Sequence, residues 1–174
     1  MTRPIVVLIT ALLACSAASA QKVASTPCRA HPQGETSAWR VYADLGHHFC
    51  FRYPTSYRPV AQPKNTCRKP ALHDQKTGAD IYVCVTAEKF RLSALTEGAP
   101  TGIDSPPEPV RIGDNTFYYY GPGGGGVSYP DQYFFNLRGK TLSIDFDGPY
   151  ENDKTPSDEA KKMERKALAS FREF

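Results

Sequence analysis

The sequence lacks a strong excess of charge and, after residue 20, any long apolar run. No later stretch approaches the roughly 20 apolar residues that a transmembrane helix requires. The 21 basic and 18 acidic side chains leave a formal net charge of only +3. Such a balance does not provide the clustered basic surface on which nucleic-acid binding depends. We therefore expect no nucleic-acid partner.

The chain also lacks the short motifs that mark common catalytic and cofactor sites. It contains no His-Glu-x-x-His and no Gly-x-Ser-x-Gly pattern. The glycine run at 123–126 lacks the Gly-Lys-Ser/Thr ending of a phosphate-binding loop, and no Cys-x-x-Cys pair offers a zinc site. We expect no cofactor and no motif-defined catalytic residue, although a Ser/His/Asp site assembled from distant residues remains open.

Two further groups of residues have metal-ligating side chains without the spacing of a metal site. His47 and His48 are adjacent, so on a strand their side chains would point to opposite faces. An acidic cluster near a Gly-Pro turn offers oxygen ligands but does not match a calcium loop. That cluster comprises Asp145, Asp147, Glu151 and Asp153. We interpret it as a solvated strand end and expect no metal site.

The first 20 residues have the three parts of a secretory signal peptide. Arg3 supplies a positive start, residues 5–14 form an apolar segment, and Ala18-Ser19-Ala20 is a small-residue cleavage pattern. The protein is therefore predicted to be periplasmic or secreted. Alternatively, residues 12–15 form a lipobox-like sequence, in which Cys15 would be lipidated and anchor the protein to a membrane.

Four of the five cysteines lie after the signal peptide. In an oxidising compartment an even number predicts two disulfides. The turn-like segment 75–78 would let Cys67 and Cys84 approach each other across a local hairpin, which leaves Cys28 to pair with Cys50. A direct bond between Cys50 and Cys84 is the competing connectivity.

Alternating apolar residues predict an antiparallel sheet. Hairpins are expected over 38–45 with 48–53, over 110–112 with 116–120, and over 133–137 with 142–146, together with a strand over 79–86. Residues 55–78 and the proline-rich residues 100–109 are predicted to be loops, and residues 88–97 to form a short helix.

A second helix is predicted near the C-terminus. Thr155 would be its N-cap and Pro156 its first residue. Its apolar stripe has helical spacing and consists of Ala160, Met163, Ala167, Leu168 and Phe171. The sequence thus predicts an α+β fold, an antiparallel sheet of about six strands with this helix on one face. We expect a leader segment over 21–37 and a single domain over 38–174.

Two short segments resemble the PsbP-like family of exported bacterial lipoproteins and photosystem extrinsic subunits. One is Phe51-Arg52-Tyr53-Pro54-x-x-Tyr57, and the other is the closing Ala167-Leu168-Ala169-Ser170-Phe171. The resemblance implies an α/β/α sandwich that binds or helps to assemble other proteins, with no shared catalytic residues.

Aromatic side chains flank the glycine run. On alternating strands half of them belong to the core, and the others would form a surface suited to a protein, peptide or glycan. This candidate surface consists of Tyr118, Tyr120 and Phe134, beneath a mobile loop at Gly123, Gly124, Gly125 and Gly126. We expect a binding or assembly protein whose partner is an envelope or secreted protein. An inhibitor or immunity protein of a secreted cell-wall hydrolase and a cell-envelope hydrolase are the alternatives.

The mature protein is expected to begin at Gln21 when the chain is expressed in a bacterial host. Ala18 and Ala20 provide the small side chains that the cleavage site requires. N-terminal sequencing and intact-mass measurement test this, and a diacylated Cys15 would show the anchored form instead.

Overall fold

A seven-stranded sheet (the larger sheet), a three-stranded sheet (the smaller sheet), a two-stranded ribbon and one twelve-residue helix make up most of the described part of the chain. A computed structural model describes residues 38–61, 67–93, 107–121, 130–148, 150–151 and 155–174. The strands, in chain order, are β1 (Trp39–Asp44), β2 (Phe49–Pro54), β3 (Tyr57–Pro59), β4 (Leu72–Asp74), β5 (Asp80–Lys89), β6 (Glu108–Ile112), β7 (Asn115–Tyr120), β8 (Asp131–Leu137), β9 (Lys140–Asp147), β10 (Tyr150–Glu151), β11 (Thr155–Pro156) and β12 (Arg172–Glu173). The helix is α1 (Asp158–Ala169).

The larger sheet has seven strands in the order β3-β4-β5-β9-β8-β7-β6. Its centre is the predicted β8–β9 hairpin, in which Tyr133 lies opposite Ile144. Arg138 and Gly139 connect the two strands with φ values of +52° and +85°. Positive φ at both positions is what a two-residue type I′ turn requires. The α+β fold class predicted from the sequence is confirmed.

The smaller sheet has the order β1-β2-β12. Phe49, Cys50 and Phe51 at the start of β2 are each 0% exposed, so this central strand is buried on both faces. β12 pairs with it in a register that sets Arg172 opposite Cys50. Residues close to the C-terminus therefore complete a sheet that begins at residue 39.

The helix α1 begins two residues later than the sequence predicts. Ser157, not Thr155, is the N-cap, and its side-chain oxygen accepts a hydrogen bond from the Ala160 amide at 3.1 Å. Thr155 and Pro156 instead form β11, which pairs with β10. Pairing with β10 therefore overrides the local preference of proline for the first helical position.

Phe171 is buried as predicted but lies beyond the end of α1. The helix ends at Ala169, and the Ser170 and Phe171 amides donate to the carbonyl oxygens of Ala167 and Leu168. This turn directs the Phe171 ring, which is 0% exposed, to the junction of both sheets. Its ring centroid lies 5.7 Å from that of Phe49 and 4.8 Å from that of Phe135.

Three local predictions are wrong at the residues where they overlap strands. The predicted loop at 55–78 contains β3 and β4, whose three residues each are too few to show alternation. The predicted helix at 88–97 begins too early, since Lys89 ends β5, while residues 92–93 are helical and residues 94–97 lie outside the described residues. The predicted loop at 100–109 ends too late, since Pro109 lies in β6, and residues 100–106 lie outside the described residues. Lys89 pairs with Lys140 of β9, and Pro109 lies in an edge strand, where proline is tolerated.

Within the described ranges, no helix is long and apolar enough to cross a membrane.

Replacing Ser157 by alanine should lower the free energy of unfolding by about 1 kcal/mol, because the Ala160 amide loses its capping acceptor. Ser157→Asp keeps an acceptor and places a negative charge at the helix N-terminus, so it should retain most of the stability. Urea unfolding of both variants measures the effect. Equal destabilisation by both substitutions would show that the cap is not its source.

Candidate functional site

The predicted aromatic surface lies on two neighbouring strands. Tyr118 of β7 stands directly opposite Phe134 of β8, and Tyr120 lies two residues further along β7. All three side chains are half-buried. Phe117 and Phe135 are their neighbours in the chain, and the ring centroids of these two residues lie 5.7 and 4.8 Å from that of Phe171. Because strand side chains alternate, the aromatic surface occupies the sheet face opposite to Phe171 and α1.

The same face of the large sheet carries both aromatic and polar groups. The Phe90 ring lies 5.4 Å from that of Tyr118. In the next row, Gln132 lies beside Asp145 and donates to its Oδ2 atom at 3.4 Å. Burial raises the pKa of Asp145 to about 6, partly offset by hydrogen bonds from Gln132 and Ser143. The glycines at 123–126, predicted to cover this surface, lie outside the described residues.

On the opposite face, two buried carboxyl groups join the sheet to the helix. Asp131 of β8 and Glu164 of α1 are each only 1% exposed. The Tyr119 hydroxyl donates to Asp131 Oδ1 at 2.5 Å, and the Tyr133 hydroxyl donates to Glu164 Oε2 at 3.2 Å. The two carboxyl groups also lie close enough for the charge of one to affect the pKa of the other. We call Asp131 and Glu164 the buried carboxyl pair.

The environment of the buried carboxyl pair favours the protonated form of both groups. Removal from water raises the pKa of both groups, and the charge of Asp131 raises that of Glu164 further, to about 8. Lys161 opposes both shifts. Asp131 Oδ2 and Glu164 Oε1 have no hydrogen-bond partner among the described residues. A protonated carboxyl is a donor, so a proton on one of the groups would supply a hydrogen bond that two carboxylates cannot form.

A small cavity of about 240 Å³ lies beside the buried carboxyl pair, between the sheet and α1. Val110 and Ile112 form an apolar wall of this cavity, and Lys161 and Arg165 line it on the side of α1. Gly121 follows the last residue of β7, and a β-carbon at this position would collide with the Tyr119 hydroxyl. Glycine there therefore preserves the tyrosine's bond to Asp131.

Two histidine–aspartate pairs are present that the sequence did not predict. The His47 ring Nδ1 lies 2.9 Å from Asp44, and the His73 ring Nδ1 lies 2.8 Å from Asp80. His47 and His48 lie in the β1–β2 turn rather than on a strand, and His48 has a φ of +58°. Within the described residues, neither ring bonds to a serine hydroxyl or a thiol, so no hydrolase triad is assembled around them.

The structure contains the predicted disulfide between Cys67 and Cys84, with the two Cα atoms 5.2 Å apart. The β4–β5 turn brings the cysteines together: the Lys76 amide donates to Asp74 Oδ1 at 2.9 Å, and Gly78 has a φ of +75°. Cys50 is also disulfide-bonded, so the competing Cys50–Cys84 connectivity is wrong. Its predicted partner Cys28, like Cys15, lies outside the described residues.

The described ranges contain no group of three or more His, Cys, Asp or Glu side chains that could hold a metal ion. Of the acidic cluster considered for calcium, Asp145 and Asp147 lie on β9, and Asp153 lies outside the described residues.

The buried carboxyl pair is the main feature that sequence patterns missed. Glu164 occupies a position within the apolar stripe of α1, four residues after Ala160 and three before Ala167. A charged residue in such a stripe is rarely buried without a partner. That position was the available signal for Glu164, whereas nothing local marks Asp131 as its partner.

Comparisons with known proteins yield a likeness to solved structures. No family model matches the sequence, and no curated protein matches it. The chain is similar to the solution structure of cyanobacterial PsbP (CyanoP) from Synechocystis sp. PCC 6803, with 15% identity and a TM-score of 0.48. The match covers 84% of this chain and 99% of that chain. It agrees with the PsbP-like resemblance of the sequence motifs and carries no argument about function.

The buried carboxyl pair should make the protein less stable as the pH rises. The pKa of Glu164 is about 8 in the folded protein against an ordinary value of 4.5, so between these values the unfolded chain binds fewer protons. The stabilisation is complete below pH 4.5 and is lost as the pH rises towards 8, at up to about 1.4 kcal/mol per pH unit. Urea unfolding between about pH 5 and about pH 9 measures this slope.

Glu164→Gln should flatten that slope, because the amide is neutral and can still donate to Asp131. Glu159→Gln is the matched control, since Glu159 is exposed in the first turn of the same helix. An unchanged slope in Glu164→Gln would assign the pH dependence to other groups.

Proposed function

We propose that the protein is an exported, disulfide-stabilised binding protein that recognises another protein of the cell envelope through its aromatic surface. The observation that carries the proposal is the Tyr118–Phe134 cross-strand pair on the sheet face away from α1. Both side chains are only half-buried. Aromatic residues of this kind contribute much of the energy of protein interfaces once water is excluded around them.

The position of the aromatic surface on a sheet supports this role. Tyr118 and Phe134 are held by antiparallel pairing on both sides of β8, since β8 lies between β7 and β9. Side chains on a rigid sheet lose little additional conformational freedom when they bind. The two faces of the sheet differ: the face towards α1 forms the core, and the opposite face carries half-buried aromatic side chains.

Two alternatives from other classes remain predictions. An inhibitor or immunity protein would use the glycine run as its inserting element, which lies outside the described residues. A cell-envelope hydrolase would need a nucleophile beside a base, and neither His47 nor His73 bonds to one within the described residues. The binding proposal therefore has the most support from side-chain geometry.

Alanine substitutions test the proposal. Tyr118→Ala and Phe134→Ala should each weaken binding to a partner captured from envelope extract by about 1–3 kcal/mol, the usual effect of removing an interface hot spot. Leu45→Ala is the control, because Leu45 is an apolar side chain that is 71% exposed on a different part of the surface. Affinity is measured by titration with the purified partner.

The melting temperature separates binding from stability. It should change little in Tyr118→Ala, whereas unfolding of this variant would assign the side chain to the core and remove the proposal's main support. A captured partner that is a cell-wall hydrolase, inhibited at a one-to-one ratio, would favour the inhibitor alternative.

A further inference from the structure

Strand β5 has an edge that is paired over only part of its length. On one side it pairs with β9 from Asp80 to Lys89. On the other side β4 pairs with it only at Asp80 and Ile81. The Ala71 amide makes the final hydrogen bond to β5 on this side. Pro70, the residue before it, has no N–H with which to continue the ladder. Within the described ranges, no strand pairs with this side of β5 after Ile81.

The backbone groups of the open edge point away from β9. The Ala71 amide donates to the Ile81 carbonyl oxygen at 2.8 Å, so the polar groups of Ile81 face the β4 side. In an antiparallel strand the N–H and C=O of one residue point to the same side, and this direction repeats at every second residue. Val83 and Val85 therefore direct their N–H and C=O groups towards the open side.

An open cavity of about 470 Å³ follows this edge. Five consecutive residues of β5, from Val83 to Ala87, line it. A strand face would contribute only alternate residues, so a consecutive run indicates that the backbone edge borders the cavity. Tyr42 lies across the cavity, and Cys67 is held at its side by the disulfide to Cys84.

The end of the cavity next to the β8–β9 turn is positively charged. Lys140 lines it, and Lys89 stands directly opposite Lys140 in the β5–β9 ladder. Like charges placed opposite each other on neighbouring strands are unfavourable unless something compensates them. Asp44 is the acid among the lining residues, and it accepts hydrogen bonds from the His47 amide and ring, each at 2.9 Å.

We propose that the open edge of β5 binds an extended acidic peptide segment of a partner protein, which adds to the sheet as a further strand. Backbone hydrogen bonds to Val83 and Val85 would hold the segment, and its acidic side chain would lie next to Lys89 and face the cavity that Lys140 lines. Five residues of edge span about 16 Å. A second copy of this chain is a poorer occupant, because edge lysines and the bulge between Thr86 and Lys89 oppose pairing of identical edges.

This inference goes beyond the proposed function, because the edge of β5 is separate from the aromatic surface. Loss of one binding surface would leave the other intact. Tyr118→Ala should therefore leave peptide binding at the β5 edge unchanged, and the two proposals fail independently.

The probe is a set of blocked, fluorescent seven-residue peptides with alternating Val and Thr and two terminal Glu, a length of roughly 23 Å when extended. They should bind at least about tenfold more tightly than the same peptides with Lys in place of Glu. Peptides N-methylated at alternate amides should lose binding, because they lack the donors for strand addition. Fluorescence anisotropy measures the affinities. Equal binding of acidic, basic and N-methylated peptides, or no binding of the acidic set, would overturn the proposal.

A charge reversal locates the binding site. Lys140→Glu should weaken binding of the acidic peptides about tenfold. Lys162→Glu is the matched control, since Lys162 is an exposed lysine on α1, and it should have no effect. Equal loss in the two variants would indicate attraction to the overall charge rather than binding at this edge.

Amide hydrogen exchange tests the backbone contacts without any substitution. In the free protein the Val83 and Val85 amides should exchange faster than those of Tyr82 and Cys84, which face β9. Saturating acidic peptide should slow exchange at Val83 and Val85 selectively. Protection that depends on protein concentration without peptide would identify a second copy as the occupant and overturn the proposal, and so would peptide binding without protection.

Discussion

The ring of Phe171 is the contact on which the arrangement of the two sheets depends. It lies between Phe49 of the smaller sheet and Phe117 and Phe135 of the larger sheet. Burying a phenylalanine contributes about 1.5–3 kcal/mol, and the backbone around it adds hydrogen bonds. The Arg52 amide donates to Ser170 Oγ at 2.7 Å, and Asn115 Nδ2 donates to the Phe171 carbonyl oxygen at 3.2 Å. The end of α1 thus fastens β2 to β7.

The two faces of the larger sheet carry different kinds of side chain. Towards α1, aromatic and aliphatic side chains surround a carboxyl pair to which two tyrosine hydroxyls donate, and burial favours its protonated form. On the other face, Tyr118, Phe134, Gln132 and Asp145 mix apolar and polar groups. A mixture of this kind is typical of surfaces that meet water in one state and a partner in another.

Sequence patterns predicted the parts of the fold that have strong local periodicity. The β8–β9 hairpin alternates over enough residues to identify its core face, and the 75–78 turn predicted the Cys67–Cys84 disulfide. Short strands such as β3 were not predicted, because three residues are too few to show alternation. The pairing of Glu164 with Asp131 was not predicted, because it depends on the packing of α1 against β8, which no local pattern encodes. Tyr118 and Phe134 were predicted to share a face, and their register places them side by side.

The pairing of β12 with β2 links residues 172–173 to residues 49–50. Contacts between such distant parts of a chain are entropically costly to form early, so sheets of this kind complete slowly. β2 gains its second neighbour and the Phe171 ring only after the final residues are available. A chain synthesised from its N-terminus would therefore retain an incomplete first sheet until residues 171–173 emerge.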